Sequence, residues 1–388
     1  MLKSFQQRIL RLILLVVVLT GTGILWLSRS SPQGADSEKP HQNVGSVNRA
    51  REQWETLLAT QFAGDAACVS CHPNESAAHQ RSGHSHTAFR MEESELAQRL
   101  KGTTYQDASD GRKVDFAIDD KGFFAKVTGQ EETVINRVDW LLGSATHAQT
   151  AVSILEDENA GLEHCWTWFT NHNKLGRTPG QSDYKPHGAS IDSCAGRDMS
   201  AQEVTECFGC HMTFGPAPGQ TLSEVNWQPN ISCERCHGPR RFHSEAALVG
   251  QAEQYKPMVN LKDPQVEMKL CAQCHRDQVD ASTPEKDQIR FQPFRLNKAR
   301  CYQADPSSLS CITCHDPHDQ TSHNIERYQK TCLNCHSQPH QSQCDRDQQL
   351  DLATDNCISC HMPKREWNNG IEFVDHWIRV VQQKEGEK

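Results

Sequence analysis

Residues 311–315 read CITCH, two cysteines separated by two residues and followed at once by a histidine. This pattern occurs seven times. Its cysteine pairs are Cys68 and Cys71, Cys207 and Cys210, Cys233 and Cys236, Cys271 and Cys274, Cys311 and Cys314, Cys332 and Cys335, and Cys357 and Cys360. The histidines that follow them are His72, His211, His237, His275, His315, His336 and His361. The repeat uses 14 of the 18 cysteines, so it decides how the chain is built.

The C-x-x-C-H pattern is the attachment motif of c-type haem, in which two thiols bond to the two vinyl groups and the histidine binds the iron. Zinc sites also use C-x-x-C pairs, but they take the pairs two at a time and need no histidine directly after the second cysteine. Here the number of pairs is odd and all seven are followed by histidine. The sequence therefore predicts seven covalently attached haem c groups, with these histidines as proximal iron ligands.

Thirteen further histidines are available as distal ligands, while the chain has only seven methionines. Most of the haems are therefore expected to have two histidine ligands, which gives lower potentials than His/Met ligation. His318 lies three residues after His315, too close to reach its own haem, and should bind a neighbouring iron. The other candidates are His243, His376, and His84 or His86, with His147 as a weaker one. A reserve comprises His164, His172, His187 and His340, whereas His41, His79 and His323 are not expected to be ligands.

The N-terminus has the features of a membrane-targeting segment. Three basic residues, Lys3, Arg8 and Arg11, accompany an apolar run that extends from Ile9 to Leu27. This order predicts a transmembrane anchor over residues 1–28 with its N-terminus in the cytoplasm, a cleaved signal peptide being the alternative. A polar tether follows over residues 29–60. The haem region is then expected in the periplasm or an equivalent space outside the cytoplasm.

The spacing of the motifs predicts the organisation of the rest of the chain. One interval, between the motifs that begin at Cys68 and Cys207, is 139 residues long, and the others are only 21–40 residues. We expect a first-haem region at 61–200 and a six-haem region at 201–388, mainly α with little regular structure, in a multihaem cytochrome c fold. Alternating residues 113–129 predict a β-hairpin, or a small meander within 103–142. Residues 51–63 and 93–100 look helical.

Composition and charge exclude some functions. The 388 residues are 36% hydrophobic with a mean hydropathy of −0.69. This is a low apolar content for a folded chain of this length, unless the haem macrocycles supply part of the core. The net charge of the whole chain is −9, and the residues after the first 30 carry a net charge of −13. An acidic body argues against binding nucleic acid. Haem propionates would bring this body to roughly −20, so partners should present basic docking surfaces.

Four cysteines lie outside the motifs: Cys165, Cys194, Cys301 and Cys344. In an oxidising compartment they could form two disulfides, such as Cys301–Cys344 and Cys165–Cys194. Buried free thiols are the alternative, and the sequence does not decide between them.

The strings ISCERCHGPRRFH, LSCITCHDPH and NCISCHMPKREW, with FVDHWIRV near the end, resemble a superfamily of multihaem c-type cytochromes. It includes hydroxylamine oxidoreductase, pentahaem nitrite reductase and a tetrahaem electron carrier. The resemblance implies distal ligand roles for His318 and His376, and it makes Cys301 and Cys344 a paired feature. The chain lacks the C-x-x-C-K motif of the nitrite reductases, and none of its five tyrosines matches the crosslinked tyrosine of the oxidoreductases.

The main functional hypothesis is a membrane-anchored carrier that moves electrons along closely packed haems. Its expected partners are redox proteins such as a quinol dehydrogenase, other cytochromes or a terminal reductase. The alternative is an oxidoreductase that acts on a small nitrogen or sulfur compound at a five-coordinate haem, with unassigned catalytic residues. A haem-rich sensor or scaffold module is a third possibility.

Overall fold

Two antiparallel sheets occupy the long interval between the first two motifs. The computed structural model describes residues 44–181, 194–217, 219–256, 259–336 and 356–381. In the interval its strands are β1 Ala88–Arg90, β2 Thr104–Gln106, β3 Lys113–Asp119, β4 Gly122–Thr128, β5 Thr133–Arg137, β6 Trp140–Leu142, β7 Ala148–Leu155, β8 Ala160–Phe169, β9 Lys174–Arg177 and β10 Gly196–Ser200. Two short hairpins follow, from β11 Met212–Phe214 with β12 Gln228–Pro229, and from β13 Lys364–Asn368 with β14 Ile371–Val374.

The first sheet has four strands in the order β2-β3-β4-β5. Strands β3 and β4 pair from Lys113↔Thr128 to Asp119↔Gly122. The turn between them ends at Gly122, whose φ of 128° favours glycine. The Asp119 side chain accepts a 2.7 Å hydrogen bond from the Lys121 N–H and so stabilises the turn.

The second sheet has the order β1-β6-β7-β8-β10, and β9 pairs with β8 beyond the end of β10. Strand β8 is mostly buried along its length. Phe116 of the first sheet packs edge-on against Trp166 of β8, with ring centroids 5.0 Å apart, inside one apolar core. A second core places Trp140 of β6 against Phe208 of the second motif, 5.9 Å between centroids. The sheets therefore position the second motif as well as the first-haem region.

Helices carry the remaining chain. They are α1 Val44–Gln61, α2 Ala66–Val69, α3 Pro73–His79, α4 Glu95–Leu100, α5 Ala201–His211, α6 Cys233–His237, α7 Arg241–Leu248, α8 Pro264–His275, α9 Glu285–Gln288, α10 Gln292–Leu296, α11 Arg300–Ala304, α12 Cys311–Cys314, α13 Ile325–His336 and α14 Cys357–His361. Single 3₁₀ turns lie at Gly83–His86, Met91–Glu93, Glu156–Glu158, Thr170–His172, Leu222–Glu224 and Ala252–Gln254. The helices expected at 51–63 and 93–100 correspond to α1 and α4.

The expectation of a mainly α fold with little regular structure is wrong. Ten strands lie between residues 88 and 200, and β6 takes Trp140–Leu142 out of the expected 103–142 meander into the second sheet. The physical reason lies in β8, which is mostly buried and therefore lacks the alternation that marks a half-buried strand. Strand β7 likewise has three consecutive buried residues, Ala151–Ser153.

The predicted membrane anchor, residues 1–28, lies outside the described residues. Among the helices of the described chain, none combines the length and the apolar composition that crossing a membrane requires. Residues 45–388 form one compact unit. The second half of the expected tether, 29–60, is largely taken up by α1. The boundary expected near residue 200 stays a prediction.

Candidate haem sites

All seven motifs lie on a helical turn. Three form or begin a short helix, at Cys233–His237, Cys311–Cys314 and Cys357–His361, and three end a longer one, at Ala201–His211, Pro264–His275 and Ile325–His336. The first motif starts in the short helix Ala66–Val69 and continues into the turn after it, where the N–H groups of Cys71 and His72 bond the Cys68 carbonyl. Residues three apart share one face of a helix, so each pair of sulfur atoms points to the same side. The side chains of Asp263 and Asn356 cap two of these helices by accepting backbone N–H bonds. Each motif therefore has the geometry that two thioether bonds to one macrocycle need.

Three distal candidates each face the histidine of a motif. The ring centroids are 6.3 Å apart for His84 and His275, 5.9 Å for His237 and His318, and 6.1 Å for His315 and His376. With metal–nitrogen distances of about 2 Å on each side, two imidazoles that bind one ion from opposite sides have centroids roughly 6 Å apart. The three pairs therefore fit the third, fourth and fifth motifs as bis-histidine iron sites.

The ring nitrogens are also oriented for this role. Ligand histidines usually donate their other ring N–H to a carbonyl or carboxylate, which fixes the ring. Nδ1 of His84 donates to the Pro317 carbonyl at 3.2 Å, and Nδ1 of His376 donates to the Val374 carbonyl at 2.9 Å. These bonds leave Nε2 of each ring free to bind a metal.

Two motif histidines are held in the same way. His211 donates from Nδ1 to the Thr87 carbonyl at 2.9 Å, and His361 donates to the Arg379 carbonyl at 3.1 Å. In the described part of the chain, no histidine ring faces His72, His211, His336 or His361 as the three distal rings face their partners. Their distal ligands stay unassigned.

Burial favours the neutral form of four of the six paired rings. It lowers the pKa of His237, His275 and His315 below the ordinary histidine value, and it lowers the pKa of His376 to about 4. A metal binds the neutral imidazole, so this protonation state suits iron ligation.

The segment that follows the fifth motif connects three sites. Cys314 and His315 belong to the fifth motif, the Pro317 carbonyl orients His84 at the fourth, and His318 faces His237 of the third. Asp319 of this segment forms a 2.9 Å ion pair with Arg81, which lies in the stretch of chain that carries His84. Residues 314–319 therefore form a junction between the third, fourth and fifth sites.

A buried ion pair supports the fifth and seventh sites. Asp375, the residue before His376, accepts hydrogen bonds from Nε and Nη2 of Arg295 at 2.8 and 2.7 Å, and both side chains are inaccessible to solvent. Arg379 pairs with the same carboxylate at 2.9 Å, and its carbonyl orients His361. Burial raises the pKa of Asp375, but hydrogen bonds from Arg295, the Trp377 N–H and Arg379 outweigh it and bring the pKa to about 2. The carboxylate is therefore ionised at neutral pH.

Cysteines of different motifs lie side by side. The thiol pairs that interact directly are Cys68 with Cys233, Cys210 with Cys274, Cys271 with Cys311, and Cys332 with Cys357. The sulfur atoms of Cys271 and Cys311 lie within 4.8 Å of each other. At longer range, Cys236 interacts with Cys271 and Cys332 with Cys314. The direct pairs join the first motif to the third, the second and fifth to the fourth, and the sixth to the seventh. The longer-range interactions link these three groups into one connected set.

A buried carboxylate holds the first and third motifs together. Glu234, inside the third motif, is 3% exposed and accepts N–H bonds from Ala63 and Gly64 ahead of the first motif and from Arg240. Its position within CERCH was the only signal in the sequence, and sequence reasoning missed it. Sequence reasoning also missed the Arg295–Asp375 pair, because the two residues are 80 positions apart in the chain.

The other candidate ligands have different surroundings. Nδ1 of His86 donates to the Ser82 carbonyl at 3.0 Å, and Nδ1 of His243 donates to the Ala252 carbonyl at 3.3 Å. Neither ring faces a motif histidine among the described residues. His147 packs against Phe373 at 5.6 Å, and its buried Nδ1 has no hydrogen-bond partner in the described chain. For these three, ligation stays a prediction.

The reserve histidines divide into three cases. His164 is fully buried in the β core, where Nε2 bonds the Ser153 hydroxyl at 2.8 Å and burial lowers its pKa to about 3. His172 is exposed and lies beside Gly370. His187 and His340 lie outside the described residues, as does His41. His79 is half-buried and burial lowers its pKa, while His323 is exposed.

The cysteines outside the motifs are free where they are described. Cys165 and Cys194 are both buried in the first core, and Cys301 is exposed, while Cys344 lies outside the described residues. Burial raises the pKa of Cys165 to about 12. The Cys165–Cys194 disulfide is not formed in the structure, and the Cys301–Cys344 pairing stays a prediction.

Comparisons with known proteins support haem attachment in this chain. Residues 168–238, which contain the second and third motifs, match the model of the family described as Cytochrome c554 and c-prime. The chain is 26% identical over 185 residues to the multiheme cytochrome MtrA of Shewanella baltica (strain OS185), across 43% of this chain and 50% of that protein. These findings support a multihaem c-type cytochrome. The chain spans about half the length of this curated relative.

A solved structure, that of the outer cell wall cytochrome OcwA, resembles this cytochrome with a TM-score of 0.46 and 14% identity, over 83% of this chain and 80% of that one. The matches do not establish the wider resemblance to hydroxylamine oxidoreductase, which stays a prediction. The matches agree with covalent haem c as the cofactor.

Proposed function

We propose that this cytochrome is an electron carrier with seven covalently attached haems. The observation that carries the proposal is the proximity of the seven motifs: neighbouring thiols join them into three groups, and the longer-range interactions of Cys271 with Cys236 and of Cys332 with Cys314 link these groups. Each bound haem supplies a one-electron iron couple whose potential depends on its axial ligands, its burial and the hydrogen bonds around it. Motif cysteines that touch one another place the edges of the attached groups side by side, as transfer from one group to the next requires.

The chain's own residues favour transfer over substrate chemistry at three of these sites. The pairs His84–His275, His237–His318 and His315–His376 would each hold an iron with two imidazoles, which would leave no open coordination position for a substrate. The backbone carbonyls of Pro317 and Val374 hold the distal rings in place, which keeps the ligand set unchanged between oxidation states.

The surroundings of the carrier follow from its charge and its chemistry. The acidic body suits redox partner proteins that present basic docking surfaces, and the similarity to a protein named as a multiheme cytochrome agrees with exchange between cytochromes. Attachment of haem c and the apolar N-terminal segment favour a place outside the cytoplasm.

The test uses the purified full chain. A pyridine haemochrome assay should give seven haems per chain, and a reductive titration should take up seven electrons. Two variants that each lose one haem then probe the route: Cys68→Ser with Cys71→Ser at an end of the connected set, and Cys271→Ser with Cys274→Ser at its branch point. After a pulse of reductant, electrons should equilibrate among the remaining haems more slowly in the second variant than in the first. Equal rates, or fewer than seven haems in the parent chain, would contradict the proposal.

A further inference from the structure

Two arginines share one aromatic ring beside the fourth motif. The guanidinium of Arg276 lies 5.4 Å from the centroid of the Phe291 ring, and that of Arg290 lies 4.9 Å from the same centroid. Arg290 also lies 4.8 Å from the centroid of the Trp367 indole. The rings orient both planar groups, and the two positive charges lie within about 10 Å of each other.

These two charges lack an acidic partner in the described part of the chain. Neither guanidinium has a carboxylate within 4.0 Å there, and the nearby Asp287 accepts a 2.8 Å bond from the indole N–H of Trp367. Burial lowers the pKa of Arg290, the charge of Asp287 raises it, and the charge of Arg276 lowers it. Two like charges held this close favour binding of an anion.

The backbone at Arg276 shows that its position is specific. Its φ is +56°, a conformation that non-glycine residues rarely adopt. Its N–H bonds the Ala272 carbonyl at 2.9 Å, and its carbonyl accepts from the Phe294 N–H at 3.2 Å. Arg276 directly follows His275, so this strained turn keeps its side chain beside the fourth motif.

We propose that Arg276 and Arg290 form a carboxylate-binding site, and that the carboxylate is a propionate of the haem attached at Cys271 and Cys274. Arginine offers two parallel N–H donors to a carboxylate, and two arginines can satisfy both oxygens. The inference rests on the proposed function, because that haem supplies the carboxylate. A small soluble oxyanion has the same chemistry, so the experiment must separate the two sources.

The test follows the potential of one haem. The rings of His84 and His275 cross at 75°, whereas His237 and His318 are 2° from parallel, so the two sites should give different low-spin signals in electron paramagnetic resonance. A redox titration monitored by the His84–His275 signal then reports on the fourth site alone. A nearby positive charge favours the reduced iron, so Arg290→Gln and Arg276→Gln should each lower its potential. We expect about a tenfold smaller ratio of reduced to oxidised haem at a fixed ambient potential, which is about 59 mV.

Two further variants sharpen the test. Arg290→Lys keeps the charge and should lower the potential by less than Arg290→Gln does, and Arg99→Gln removes an exposed arginine of α4 and should change nothing. An unchanged potential in both glutamine variants, with a normal haem count, would overturn the site alone. A wild-type potential that moves when phosphate replaces chloride at constant ionic strength would overturn the propionate as the occupant. A missing haem at the fourth motif would overturn the proposed function as well.

Discussion

The rings of His237 and His318 lie 5.9 Å apart with planes only 2° from parallel, although the two residues are 81 positions apart in the chain. His237 belongs to the third motif and His318 follows the fifth. The segment after the fifth motif therefore places an imidazole opposite the histidine of the third motif.

The first prediction concerns this ligand pair. Replacing His318 by alanine removes one axial ligand, so one low-spin ferric haem should become high-spin, with the haem count unchanged. Low-temperature electron paramagnetic resonance measures both signals. His323→Ala is the matched control, because His323 lies five residues away and is exposed. An unchanged low-spin spectrum in the His318 variant would show that another group ligates the third site.

A second prediction follows from the angles between the rings. Parallel imidazoles split the iron d orbitals that they share, which gives a rhombic spectrum, whereas crossed imidazoles leave those orbitals nearly equal in energy and give a strongly anisotropic one. The 75° pair at the fourth site should produce the anisotropic signal. His84→Ala should abolish it and leave the rhombic signal of the 2° pair intact. Loss of the rhombic signal instead would contradict these orientations.

The sequence indicated which histidines could be distal ligands but not which motif each would serve. His84, His318 and His376 stood out because they lie close to motifs or to a recognisable terminal string. Their partners, His275, His237 and His315, lie 61–191 residues away. Nothing local encodes such a pairing, since it depends on how the motif helices pack.

The fold shows a related limit. The alternation of apolar and polar residues over 113–128 predicted a hairpin, because one face of these strands is largely buried and the other is more exposed. Strand β8 carries Trp166 and Trp168 but is mostly buried, so its apolar residues show no period of two. The six-stranded sheet was therefore missed, together with the support that it gives to the second motif through Trp140 and Phe208.

The third prediction concerns the ion pair that supports His376. Removing one member of a buried pair leaves an unpaired charge, so Asp375→Asn should lower the free energy of unfolding by about 3–5 kcal/mol. Replacing Asp375 by leucine and Arg295 by methionine together should cost less, because the fully buried guanidinium is then gone and the remaining partner, Arg379, is partly exposed. Denaturant unfolding at pH 7 measures both variants.

The control for this pair lies on the surface. Glu95 and Arg99 are 3.9 Å apart and well exposed, so Glu95→Gln should change the free energy of unfolding by no more than about 0.5 kcal/mol. If the double variant is as unstable as Asp375→Asn alone, the loss comes from packing around His376 rather than from the unpaired charge.

The fourth prediction uses His164, whose imidazole is fully buried in the β core and bonded to the Ser153 hydroxyl. Burial holds its pKa at about 3, whereas an unfolded chain has a histidine pKa of about 6.5. The unfolded state therefore binds more protons between these values. The stability that neutral His164 contributes is fully present above pH 6.5 and is lost as the pH falls toward 3.

Replacing His164 by glutamine removes this titration while keeping a side chain that can bond Ser153. Between pH 6.5 and 4.5 the wild type should lose up to about 2–3 kcal/mol more unfolding free energy than the variant loses. Guanidinium unfolding at a series of pH values measures the difference, and His323→Gln, at an exposed position, should follow the wild-type curve. Parallel curves for wild type and His164→Gln would mean that His164 becomes charged within the folded core, in conflict with its complete burial.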